Sequence, residues 1–182
     1  DVQASLTKDF DAGIANFDIG RKWETSRTSL RFGVGVAALS TSDDKGFSAF
    51  DEVNSLSSDI SRSYLGAGLR LSAEGKARLA ADSPFSVYGG ASMAATRGQY
   101  SYDKGLTNTA GSSGTQSESE RGGMNHGTLE IGLEYAPTSS TAFRVGLRRD
   151  IFKVDSDTAD FSNVFESTFE ADTAYVGVAI SF

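Results

Sequence analysis

Cysteine is absent from the 182 residues, so no disulfide framework, zinc–thiolate site or thiol nucleophile can be built. Proline occurs only twice and histidine once. No apolar run approaches the ~20 residues that a membrane-spanning helix needs. That absence leaves another way across a bilayer open, because in a transmembrane barrel only every second residue faces lipid. Basic residues are in deficit: 17 Lys and Arg against 24 Asp and Glu give a net charge of -7. This argues against a nucleic-acid partner and against attraction to an anionic membrane surface. Glycine, by contrast, is abundant, with 20 residues, which suits long strands with small side chains on one face. The hydrophobic fraction of 38% and a mean hydropathy of -0.27 look like those of a soluble protein until their periodicity is considered. The length is that of one domain, 1–182. The sequence opens on Asp1 without an initiator Met, and we expect a mature or trimmed chain, with strands upstream of it as one reading.

The periodicity is two. In the last nine residues Ala174, Val176, Val178, Ile180 and Phe182 form one row, and Tyr175, Gly177, Ala179 and Ser181 the other. The same alternation runs through residues 28–39, where Leu30, Phe32, Val34 and Val36 oppose Ser29, Arg31, Gly33 and Gly35. It recurs in residues 14–23, 62–80, 126–136 and 142–153. Residues 85–102 carry small side chains on both rows, so their facing stays open. Residues 1–12 alternate weakly and read as a short strand or part of one.

Connections alternate as well. Residues 24–27, 81–84 and 137–141 are short turns, whereas 40–61, 103–125 and 154–172 are polar and read as long loops. Short turns on one side and long loops on the other are the habit of outer-membrane barrels. We therefore expect an all-β fold, an antiparallel up-and-down transmembrane β-barrel of about eight strands, with about ten as the alternative. The C-terminal strand is expected to run inward and to close against an N-terminal strand, for which residues 1–10 are the weakest candidate.

The polar rows identify candidate residues. Pairing 126–136 with 142–153 puts Glu134 opposite Arg144, Glu130 opposite Arg148 and Gly132 opposite Gly146. The other face then pairs Leu133 with Val145, Ile131 with Leu147 and Tyr135 with Phe143. Charges in a barrel interior must be paired or wet, so Arg31, Arg70, Glu130, Glu134, Arg144 and Arg148 are expected to line the lumen. Trp23, Phe85, Tyr135, Phe143 and Phe182 fall near turns or the terminus and suit an interfacial aromatic girdle.

Two further groups carry side chains capable of chemistry. His126, Thr128 and Glu130 sit two residues apart on one strand and resemble the His, Ser and Glu that outer-membrane lipid A deacylases use near the rim, but Thr stands where that family has Ser and no activated hydroxyl or oxyanion site is indicated. We expect no enzymatic activity and no cofactor. Asp155, Asp157 and Asp160 lack the glycine and distal glutamate of a dedicated Ca²⁺ loop, so no metal site is expected.

The C-terminal row resembles the closing strand of bacterial outer-membrane barrels, whose final Phe serves as an assembly signal. Asp9 to Arg21, Gly66-Ala67-Gly68-Leu69, Phe85 to Gly89 with Gly98-Gln99-Tyr100, and Leu129 to Leu133 resemble strands of the Legionella-type pore-forming outer-membrane protein family. The likeness covers most of residues 9–182, and members of that family have additional strands before this region. The resemblance implies a location in the Gram-negative outer membrane and a non-enzymatic, narrow pore for small polar solutes. It also implies contact with outer-membrane lipid and lipopolysaccharide, and with the barrel-assembly machinery through the C-terminal strand. The residues leave three alternatives: a structural surface-antigen barrel with a plugged lumen, a lipid A-modifying enzyme, and a soluble lipocalin-like carrier with the apolar row inside.

Overall fold

The computed structural model describes residues 3–50, 54–80, 82–109, 113–138, 140–154 and 168–180. These form seven strands: β1 (Gln3–Glu24), β2 (Thr28–Phe50), β3 (Ser55–Arg78), β4 (Phe85–Asn108), β5 (Ser113–Tyr135), β6 (Thr141–Val154) and β7 (Thr168–Ile180). All lie in one sheet in the order β1-β2-β3-β4-β5-β6-β7, each strand beside its sequence neighbours. The fold is all-β, one up-and-down sheet with its strands in chain order.

The β5–β6 register is the one the charge pattern demands, with Glu134 opposite Arg144, Glu130 opposite Arg148, and Tyr135 opposite Phe143. The β6–β7 register continues it, pairing Val145 with Val176 and Arg149 with Asp172. Two of the short turns are shaped by threonine: the Thr28 and Thr141 amides donate to the hydroxyls of Thr25 and Thr138 at 3.0 Å.

Three expectations are corrected. First, the stretches 40–61 and 103–125 are not long loops. β2 continues to Phe50, β3 starts at Ser55, β4 continues to Asn108 and β5 starts at Ser113. Polar residues hid these strands because here the inward row is polar too: Thr41, Asp43 and Arg62 are buried between less buried neighbours. Second, residues 1–12 and 14–23 are one strand of 22 residues, not two. Third, among the described residues β7 pairs with β6 alone, so the expected closure onto an N-terminal strand is not formed. With strict alternation β1 and β7 run in the same direction, so an antiparallel seam between them is not available. Most of the third loop, and the Asp155–Asp160 run within it, falls in 155–167, outside the described residues.

The chain packs as two compact units. One comprises Asp1–Ala15, Ala38–Ala67 and Arg97–Gly123; the other Asn16–Ala37, Gly68–Thr96 and Met124–Phe182. In the first, Leu39, Tyr64 and Tyr100 are almost wholly buried. The Tyr64 and Tyr100 rings lie 4.6 Å apart, and the Tyr100 hydroxyl donates to the Gly123 carbonyl at 2.6 Å. Gly66 leaves the space that the Tyr64 hydroxyl fills. Asp43, itself buried, faces Arg62 at 3.6 Å and Lys45 at 3.7 Å. The acidic residue that suggested a loop is thus part of an interior ion-pair group.

In the second unit the two faces differ sharply. Leu69 is 72% and Val176 83% exposed, whereas Tyr88 and Phe152 are 1% exposed and Glu134 2%. The apolar row points out and the polar row in. The facing of β4, undecided by its composition, is settled: Ser86, Tyr88, Ala94 and Thr96 are interior, and Phe85, Val87 and Met93 exterior.

Candidate functional site: the charged interior

Strands three apart in a flat sheet lie ~14 Å from each other, and perpendicular side chains on them could not meet. In the second unit they do meet. The Tyr88 hydroxyl on β4 bonds the Tyr175 hydroxyl on β7. Arg144 on β6 donates from Nη2 to Glu74 Oε1 on β3 at 3.0 Å. The sheet is therefore strongly curved there, with its polar face on the concave side.

Three connected groups fill that face. Glu134 is the centre of the first. Its Oε2 accepts from Arg144 Nε at 2.8 Å and its Oε1 from Lys76 Nζ at 2.6 Å. Arg144 links on to Glu74, so two carboxylates and two cations from β3, β5 and β6 form one network. The Arg144 guanidinium also lies 4.7 Å over the Tyr88 ring. Tyr88 fits because Gly132 and Gly146 are opposite each other in the hairpin: a Cβ on Gly146 would stand 2.8 Å from its hydroxyl.

The second group joins β1 to β3. Asp18 pairs with Arg70 and accepts from the Ser72 hydroxyl at 3.2 Å. The third lies on β5 and β6. Arg148 grips Asp150 with two bonds, Nε to Oδ2 at 2.7 Å and Nη2 to Oδ1 at 2.8 Å. His126 Nε2 meets the same carboxylate at 2.7 Å, and the Thr128 hydroxyl donates to it at 3.0 Å. The imidazole is stacked on Phe152, ring centroids 4.7 Å apart. A polar cavity of about 120 Å³, lined in part by Arg31, Arg70, Glu130 and Arg148, is left among the groups. It has room for about four waters.

All six lumen candidates lie on the inward row, but their contacts are not all those the register suggested. Glu134 and Arg144 pair as expected. Glu130 and Arg148 are register partners, yet Arg148 turns to Asp150, two residues along its own strand. Glu130 instead accepts from the Tyr175 hydroxyl at 3.3 Å. Asp150 wins because it is more buried and receives three donors at once. Arg70 takes Asp18, while Arg31 lines the cavity. Lys76, Glu74, Asp18, Tyr88 and Asp150 are interior partners that pairwise reading of one hairpin missed. Their signal was parity: each stands on an inward row of its strand.

The His126 group is not built as an acyl-transfer site. A relay needs the carboxylate on one ring nitrogen and the nucleophile on the other. Here Asp150 and Thr128 both approach Nε2, and the Thr128 proton goes to Asp150. All three residues are buried. Glu130, the third residue of the sequence-level trio, is engaged by Tyr175.

The residues expected to form a girdle can be placed. Phe85, Tyr135 and Phe143 are outward neighbours on three adjacent strands, with centroids 4.9 Å apart for Phe85–Tyr135 and 6.5 Å for Tyr135–Phe143. Trp23 meets Phe32 edge-on at 5.7 Å. Phe182 lies outside the described residues. Among the described residues no cluster of three or more acidic or histidine side chains has metal-binding geometry.

No family model matches the chain, and no curated protein does. The resemblance to the Legionella-type family thus rests on the strand motifs alone. Among solved structures, the crystal structure of Neisserial surface protein A (NspA) is similar at a TM-score of 0.34 and 13% identity, over 87% of this chain and 98% of that one. At that distance the likeness carries over no residue and no role.

Proposed function

We propose that this chain is a bacterial outer-membrane β-barrel protein whose interior is closed by ion-paired side chains, and that its role is structural, displaying long hairpins at the cell surface. The membrane reading is supported by the outward row. Phe17, Ile19, Leu69, Leu147 and Val176 are all more than half exposed, a larger apolar surface than a soluble monomer tolerates. On β2 that row runs from Leu30 to Ala38. Eight steps of ~3.3 Å, tilted by ~40°, span ~20 Å along the membrane normal, of the order of the apolar band of such barrels. A lipocalin-like carrier would need the opposite facing, with Glu134 outside and Leu69 inside.

The observation that carries the closed reading is Glu134, 2% exposed and held by cations from two other strands. Purified protein in planar bilayers is expected to give no discrete conductance. Steady steps whose size changes in Arg148→Gln would overturn the closed reading. They would favour the narrow pore, which the Arg31–Arg70–Arg148 lining of the cavity supports as second reading. In either case the C-terminal strand is the segment offered to the assembly machinery, and no catalytic step is assigned.

A further inference from the structure

Five of the eleven arginines serve the interior, and two of the others stand close together on the outward face. Arg97 on β4 and Arg121 on β5 are exposed, and among the described residues neither makes an ion pair or a hydrogen bond. Their placement follows from the contacts of the first unit. Ser117 bonds Asp103, which aligns those two residues across β4 and β5. Counting along antiparallel strands sets Gln99 opposite Arg121 and Arg97 opposite Gly123. Residues paired in this way share a face, and Tyr100 and Tyr102 occupy the buried one. Arg97 and Arg121 are therefore diagonal neighbours on the outward face, ~7–8 Å apart at the backbone. Their long side chains can converge on one group.

A Cβ on Gly98 would run into the Gly66 backbone, so Leu65 and Ala67 of β3 lie beside Gln99 and Arg97. Leu65 is 68% exposed. Beyond it the outward row of β3 turns polar, with Ser63 and Ser61. The two guanidiniums thus stand where an apolar, lipid-facing surface gives way to a wet one, with an amide and a hydroxyl beside them. Against a net charge of -7, two adjacent exposed cations without a carboxylate partner form a local anion-attracting patch. The planar guanidinium is the side chain best suited to chelating a phosphate.

We propose that Arg97 and Arg121 bind the phosphate of a phosphorylated glycolipid headgroup of the lipid A type, with Gln99 and Ser63 placed for its sugar hydroxyls. This rests on the membrane-barrel reading above. Both arginines lie on the β3–β4–β5 hairpins that extend away from the short turns, which that reading assigns to the outer, glycolipid leaflet.

The test is native mass spectrometry of the detergent-folded protein with lipid A, its fully dephosphorylated form, and phosphatidylglycerol. Lipid A should bind at one site, and the Arg97→Gln/Arg121→Gln double variant should bind it at least about tenfold more weakly, the scale of two charge-assisted contacts. An Arg27→Gln/Arg78→Gln variant at the opposite, short-turn end should bind as the parent does. Equal lipid A affinity in the Arg97/Arg121 variant overturns the site. So does equal affinity for the dephosphorylated lipid or for phosphatidylglycerol. Heat-modifiable gel mobility separates the two levels: protein that never folds in detergent defeats the barrel reading itself, whereas folded protein with unselective lipid binding defeats only the lipid site.

Discussion

Glu134 on β5 and Arg144 on β6 face each other in the strand register, and their side chains close that pairing with a 2.8 Å bond from Nε to Oε2. One interaction therefore joins local register to the filling of the interior, because the same carboxylate also holds Lys76 and the same guanidinium also holds Glu74. Glu134→Gln leaves two cations facing a neutral amide. Removing one partner of a buried charge network costs about 3 kcal/mol or more. Urea unfolding of the vesicle-reconstituted variant should show that loss. A midpoint equal to the parent's would mean that the network contributes no stability.

Tyr88 and Gly132 make a steric pair on the same concave face. A Cβ on Gly132 would stand 2.5 Å from the Tyr88 hydroxyl and would also press on the Val145 carbonyl of the neighbouring strand. Gly132→Ala is expected to cost about 1–3 kcal/mol, the usual penalty of overpacking. Tyr88→Phe should recover only part of it, since the carbonyl contact remains. A double-mutant cycle on unfolding midpoints measures the coupling. Strict additivity would show that ring and glycine do not meet.

Trp23 is the single tryptophan, and it lies on the outward row near a short turn, its ring edge-on to Phe32 and within 5.3 Å of the Arg21 guanidinium. Its fluorescence tests the proposed girdle without engineering. On folding into vesicles its emission should shift to the blue. Lipids brominated close to the headgroup should quench it more than lipids brominated at the chain ends. Stronger quenching from the chain ends would place the turn at the wrong depth.

Asp150 gathers Arg148, His126 and Thr128 about one carboxylate. Asp150→Asn should destabilise by about 3 kcal/mol, because Arg148 loses a bidentate charged partner. His126→Ala should cost less, about 1–2 kcal/mol, because it removes a hydrogen bond and a ring contact while leaving the Arg148–Asp150 pair intact. Neither substitution should alter the acyl-chain content of lipid A incubated with the protein, as read by mass spectrometry. Deacylation by the parent that disappears in His126→Ala would restore the enzyme reading.

Much of this architecture was legible because a strand between two solvents must alternate. That requirement gave the outward rows of β2, β3, β5 and β6, the short turns, and the whole β5–β6 register down to Tyr135 opposite Phe143. It failed where the contrast between the faces disappears. In residues 40–44 the inward row carries Thr41 and Asp43, so composition resembled a loop although burial alternates as in a strand. In β4 small residues on both rows concealed that Tyr88 and Tyr100 point inward.

The sequence alone determined the class of fold and which residues turn their charges inward, since period-two patterning and pairing by register are local properties of neighbouring strands. Only the tertiary structure decided who holds whom across the interior: Glu134 with Lys76, Arg144 with Glu74, Arg148 with Asp150 in place of Glu130, and Tyr88 with Tyr175. Those partners lie as far as 87 residues apart in the chain. They meet because the sheet curves, and curvature is a cumulative property of many strands that no single strand's pattern encodes.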